Sequence, residues 1–229
     1  MNNKIFLKIE SWSYYLMMLF LPISLFLDNL FLGILLFVVL LKKNKPFDNK
    51  LVTYSIFLFF IYIFFNTILK DSLILNKESI IKILPILLLP FCLGNLSKKT
   101  LVKGCFFLMI GIVVIQINAI LGIIDYYYFT EGNKYALKNY SKVNEIIRYE
   151  RPYLGFLSAF NFILSLLFFK KFKKLIFPIL ISCLAIIIVT LISARLALII
   201  IFFSCLIYLF NKFKLKNSII YLTLLTSLF

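Results

Sequence analysis

The stretch "LIFPILISCLAIIIVTLISARLALIIIFFSCLIYLF", residues 175–210, carries one charged side chain, Arg195, near its middle. As a single helix its 36 residues would run ~54 Å at ~1.5 Å per residue, nearly twice the ~30 Å of bilayer hydrocarbon. The stretch is therefore expected to fold back on itself, with "ISAR" (192–195) as the polar break. Ser193 suits the N-cap of the second helix, which puts Arg195 in that helix's first turn.

The rest of the chain has the same character. It is 63% hydrophobic, with 27 Phe, 13 Tyr and a mean hydropathy of +1.03, whereas an ordinary globular domain is about 45–50% apolar. Its apolar blocks are continuous, unlike the short alternating segments of a membrane β-barrel. The expected fold is all-α: a polytopic transmembrane helical bundle of about eight spans plus the start of a ninth, with residues 1–229 forming a single transmembrane domain. The spans are placed at about 11–27, 29–41, 51–69, 79–96, 104–124, 153–169, 175–192 and 196–210, with a ninth from near 217. "WSYYLMMLFLPISLFLDNLFLGILLFVVLL" (12–41) is too long for one comfortable span, so a bend is expected near Pro22 and Asp28–Asn29. The ninth span breaks off in mid-pattern at Phe229, so the chain is expected to be the N-terminal part of a larger fold.

The formal charge is +16, from 25 Lys and Arg against 9 Asp and Glu. In a soluble protein that balance would suggest nucleic acid, but here the charges fall between apolar blocks, so no nucleic-acid partner is expected. "KKNKPFDNK" (42–50), Lys98, Lys99 and Lys103, "KKFKK" (170–174) and "KFKLK" (212–216) are separated each time by two expected spans. Basic loops stay cytoplasmic, which places the loop 125–152 outside the membrane. "MNNKIFLKIE" leads into an apolar stretch without a small-residue cleavage site, so the first span is expected to serve as the targeting signal. Cys92, Cys105, Cys183 and Cys205 lie far apart in apolar surroundings and read as buried hydrophobes. The sequence has no histidine, so ordinary zinc sites and histidine-based catalysis are not expected in it; no metal and no cofactor are expected.

Against 22 Lys the chain has three Arg, at 148, 151 and 195, all on the expected external side. Arginine there contributes nothing to orientation. In "ERPYLG" (150–155) Arg151 precedes Pro152, which favours the first helical position. Arg151 and Arg195 thus both stand at helix N-termini, where free N–H groups and the helix dipole favour anions. A guanidinium that grips phosphate oxygens in a fork completes such a site, and two adjacent ends suit a diphosphate. The alternative for Arg195 is snorkelling to the interface or pairing with Asp125 or Glu150. Arg148 reads as a solvated loop charge. In the loop, Val143, Ile146 and Ile147 predict a short amphipathic helix on the surface. Tyr126, Tyr127, Tyr128 and Tyr135 suit either sugar stacking or an interfacial aromatic belt. A sugar-hydrolase carboxylate pair, a phosphate-binding glycine loop and a nucleophile elbow are missing.

"ERPYLGFLSAFNFILSLLFF" (150–169), then "LISARLALIIIF" (191–202), together with "LILNKESIIKILPILLLPF" (73–91), resembles the bacterial O-antigen ligase and O-antigen polymerase superfamily. The resemblance implies a metal-independent membrane glycosyltransferase of the bacterial inner membrane. It would move an O-antigen-type glycan from undecaprenyl diphosphate to lipid A-core or another acceptor sugar, as a ligase ahead of a polymerase. It further implies that Arg151 and Arg195 hold the diphosphate, with Ser193, Gly155 and Tyr153 in support and Gly155 allowing close helix approach. The family's histidine-bearing periplasmic loop would follow the ninth span, so the general base is expected beyond Phe229, with no catalytic residue in this chain. The rival expectation is a transporter or flippase for a lipid-linked or anionic solute, a class that tends to show internal repeats and midplane sites.

Overall fold

The computed structural model describes residues 3–41, 61, 92, 96–129, 140–169 and 176–212. Among them are seven α-helices: α1 (Asn3–Phe20), α2 (Leu25–Leu41), α3 (Lys98–Phe129), α4 (Tyr140–Ile147), α5 (Arg151–Leu167), α6 (Ile176–Leu191) and α7 (Arg195–Lys212). The chain divides into two compact units, residues 1–111 and 112–229.

The eight-span polytopic bundle with the start of a ninth is not supported. Among the described residues only one helix, Lys98–Tyr128, is long and apolar enough to cross a membrane. Phe26–Val39, Arg151–Leu167, Ile176–Leu191 and Arg195–Leu209 are shorter apolar helices. The cause is where turns fall: α6, with 16 residues, reaches about 24 Å at ~1.5 Å per residue, short of the ~20 residues a span needs. The spans expected at 51–69 and 79–96, and the ninth from 217, lie outside the described residues.

In the first unit the turn after α1 falls at Leu21–Ile23, earlier than Asp28–Asn29. Pro22 has no N–H to continue the helix. Ser24 then starts α2, its carbonyl accepting the Asp28 N–H at 3.0 Å. Asp28 therefore lies in the first turn of α2, at the end of the dipole that favours a carboxylate. Tyr14 and Met17 of α1 pack with Leu32 and Leu35 of α2 and with Cys92. Gly111 permits a close approach here: a Cβ at that position would lie 2.2 Å from the Leu19 carbonyl oxygen.

The second unit is built on α5, which packs against both α6 and α7. Its core joins Ala159 and Phe162 of α5, Ala185 and Val189 of α6, and Ala197 and Ile201 of α7. Small side chains let the three helices approach, and the bulky ones fill between them. The α3 helix runs through Tyr126, Tyr127 and Tyr128 to Phe129, so these tyrosines belong to its last turns. Val143, Ile146 and Ile147 of α4 are buried, so the apolar face of that helix packs inward. The outer faces are apolar: Ile176, Leu180 and Ile187 on α6, and Leu196, Ile199, Phe203 and Ile207 on α7, are exposed. Ile110, Val114, Ile117, Leu121, Ile124 and Tyr128 form an exposed stripe along α3 at helical spacing.

The turn between α6 and α7 places Ser193 at φ 51°, the left-handed region that costs a residue with a Cβ about 1–2 kcal/mol. Replacing Ser193 by Gly is expected to raise stability by about 1 kcal/mol, read as a higher midpoint in thermal or denaturant unfolding. An unchanged or lower midpoint would show that the turn carries no such strain.

Candidate anion site

Helix α5 begins after Glu150, which has extended backbone (φ −68°, ψ 127°) and acts as N-cap without a side-chain capping bond. The Glu150 carbonyl accepts the Leu154 N–H at 3.0 Å. Pro152 lies in the first turn, where its missing N–H forfeits nothing. The Arg151 N–H donates to Asn144 Oδ1 of α4 at 2.9 Å, so a neighbouring side chain meets one of the free donors of this helix end. Nearby, Asn118 Nδ2 of α3 donates to the Tyr149 hydroxyl at 3.3 Å, tethering the segment between α4 and α5.

Helix α7 begins one residue later than Ser193 would have capped it. The Ala194 carbonyl accepts the Leu198 N–H at 3.1 Å, so Ala194 is the N-cap and Arg195 the first helical residue. Ser193 instead closes α6: its N–H donates to the Thr190 carbonyl, and the Ala194 N–H to the Val189 carbonyl, both at 3.0 Å. The positive φ at Ser193 suits this helix-ending role. Its contribution to the site is its carbonyl oxygen, which accepts a hydrogen bond from Arg151 Nη2.

That contact brings the starts of α5 and α7 together. Arg151, Pro152, Phe156, Ser193, Arg195 and Ile200 line one cavity of about 300 Å³, with Ala194, Leu196 and Ala197 completing the wall. Its lining is mostly aliphatic and aromatic carbon, with the two arginines contributing its charged side chains. Arg151 is half-buried and latched to Ser193, whereas Arg195 is exposed. Among the described residues neither arginine forms an ion pair with Asp125 or Glu150. Gly155 lies one turn into α5 against the α6–α7 turn, and a Cβ there would be 2.7 Å from Ala194 Cβ and 3.5 Å from Ala197 Cβ. Tyr153 is 40% exposed and is not part of the cavity wall.

No family model matches the chain, and no curated protein or solved structure matches it. The site must therefore be read from its own geometry. Asn144 as the partner of Arg151, and Phe156, Leu196 and Ile200 as the apolar wall, were not legible as site residues, because only packing shows which face of each helix the arginines share. Arg148 is exposed, in the turn that follows α4. It has φ 59° and lines a second cavity of about 290 Å³ with Asp125, Tyr126, Lys142 and Glu145. Among the described residues no group of His, Cys, Asp and Glu is arranged to hold a metal ion.

Asn144→Ala removes the acceptor of the Arg151 N–H and is expected to lower stability by about 1 kcal/mol, whereas Asn144→Asp keeps the acceptor and stays near wild type. Unfolding midpoints of the two variants check this, and equal losses would show that the capping bond is immaterial.

Proposed function

We propose that the cavity at the starts of α5 and α7 holds the diphosphate of a polyprenyl-linked glycan, and that the protein takes part in moving that glycan to an acceptor sugar at a bacterial inner membrane. What supports this is the presence of Arg151 and Arg195 together in the wall of one largely apolar cavity. An amphipathic anion needs both halves of that arrangement: forked donors for phosphate oxygens and hydrocarbon for the isoprenoid chain. Arg195, exposed and without a carboxylate partner among the described residues, is the guanidinium ready to bind, while Arg151 would exchange the Ser193 carbonyl for a phosphate oxygen. The membrane setting is supported by the exposed apolar faces of α3, α6 and α7, since large apolar patches mark membrane or protein contact.

In the transfer step the bond between the sugar's anomeric carbon and the diphosphate oxygen breaks, and its electron pair leaves with the diphosphate. The acceptor hydroxyl forms the new bond to that carbon, and its proton passes to the departing diphosphate or to solvent. Guanidiniums held at the departing phosphate stabilise the charge that develops there. Geranylgeranyl diphosphate titrated into the purified protein in detergent tests the binding half directly. Arg195→Lys is expected to weaken binding by about 1.5–3 kcal/mol, roughly 10- to 150-fold. Equal affinity in wild type and variant would remove the proposal's support.

A further inference from the structure

Helix α5 carries a buried polar line on the face away from solvent: Ser158, Asn161 and Ser165, spaced three and four residues apart, are all fully buried. Two of the three have protein partners. Gln116 Nε2 of α3 donates to Ser158 Oγ at 2.9 Å. Ser165 Oγ donates to the Phe162 carbonyl at 2.7 Å and lies 2.7 Å from Ser182 Oγ of α6. Asn161 is the exception, because among the described residues neither its Nδ2 nor its Oδ1 has a hydrogen-bond partner. The Gln116 Oε1 atom is likewise buried without one.

A buried amide with both ends unmet is rare, because desolvation is not repaid. Asn161 and Ser158 are one turn apart, with Cβ atoms of such a pair about 5–6 Å from each other, and Ser158 already holds the Gln116 amide. Two hydrogen bonds of ~2.7–3.2 Å end to end cover that separation.

We propose that Asn161 is the anchor of a bound internal water on the buried face of α5, next to the Gln116–Ser158 pair. Water has the required chemistry. It donates to Asn161 Oδ1 and accepts from Nδ2, and its second hydrogen is available to Gln116 Oε1. Internal waters typically make about three such bonds. A metal cation fits less well, since it would leave the Nδ2 hydrogens unmet and would find no carboxylate among these residues. The water would join α3 to α5 through a polar bridge in an otherwise apolar body, independently of any ligand at Arg151 and Arg195.

X-ray hydroxyl-radical labelling of the whole chain in detergent tests the proposal, because radiolysis of a bound water modifies buried side chains beside it. Leu157, one turn from Asn161 on the same face of α5 and 6% exposed, is expected to be labelled despite its burial, with slow exchange when the solvent is switched to isotopically labelled water. In Asn161→Leu that label is expected to be lost while the label on the exposed Phe160 stays. Gln116→Met is the second variant, removing one partner of the water while keeping the shape, and is expected to reduce the Leu157 label and speed its exchange. An unlabelled Leu157 in the wild-type protein would overturn the proposal, as would a label that persists unchanged in folded Asn161→Leu or Gln116→Met.

Discussion

Arg195→Lys is expected to cut glycan transfer by about 10²–10³-fold, the loss seen when one pre-organised donor to a developing negative charge is removed. The substitution keeps the positive charge, so a residue that merely snorkels to an interface would tolerate it. What disappears is the planar fork that matches two phosphate oxygens at once. Arg195 is the first residue of α7, so in the proposed site its side chain and the free N–H groups of that helix end would address the same anion. The check is surface glycan on cells whose only copy of the protein carries the substitution, alongside its abundance in the membrane. Wild-type glycan at normal abundance would defeat the diphosphate role. The companion change Arg151→Lys loses both the fork and the geometry of the Ser193 contact, so its effect should include a shift in the α6–α7 turn.

Gly155→Val carries the largest expected structural effect. A Cβ at this position would meet Ala194 Cβ at 2.7 Å, well inside ordinary carbon contact, and valine adds two further methyl groups. The helix cannot give way without pulling the start of α7 from α5, so a loss of about 1–3 kcal/mol from overpacking is expected. The same displacement separates Arg151 from Ser193, and ligand affinity should fall with stability. Because the obstacle is one methyl group, the second change Ala194→Gly is expected to restore part of the loss, giving a coupling of about 0.5–3 kcal/mol. Strictly additive losses in unfolding midpoints would mean that the approach of the two helices does not depend on Gly155.

Much of the local structure was legible because it depends on chain-local rules. The break in 175–210 falls between Leu191 and Arg195, where Ser193 and Arg195 interrupt the apolar run. Proline placed the start of α5 at Arg151, and the apolar positions of "YSKVNEII" marked α4. The expected span count was lost for a different reason. Hydropathy reports how apolar a stretch is, not whether one helix persists through it, and several apolar stretches are too short when taken helix by helix. The Ser193 cap failed on backbone geometry: its left-handed φ commits it to ending α6, and no composition rule distinguishes a residue that closes one helix from one that opens the next.

The sequence by itself determined that the described elements are helical and that two guanidiniums stand at helix starts, because apolar content, proline and charge placement act within a few residues. Only the tertiary structure decided that Arg151 and Arg195 share one cavity, that Asn144 holds the backbone of the first, and that Asn161 is buried without a hydrogen-bond partner among the described residues. Those relations depend on which helix faces meet, and helix packing is a long-range outcome of side-chain volume, with a glycine against an alanine methyl setting the distance between α5 and α7.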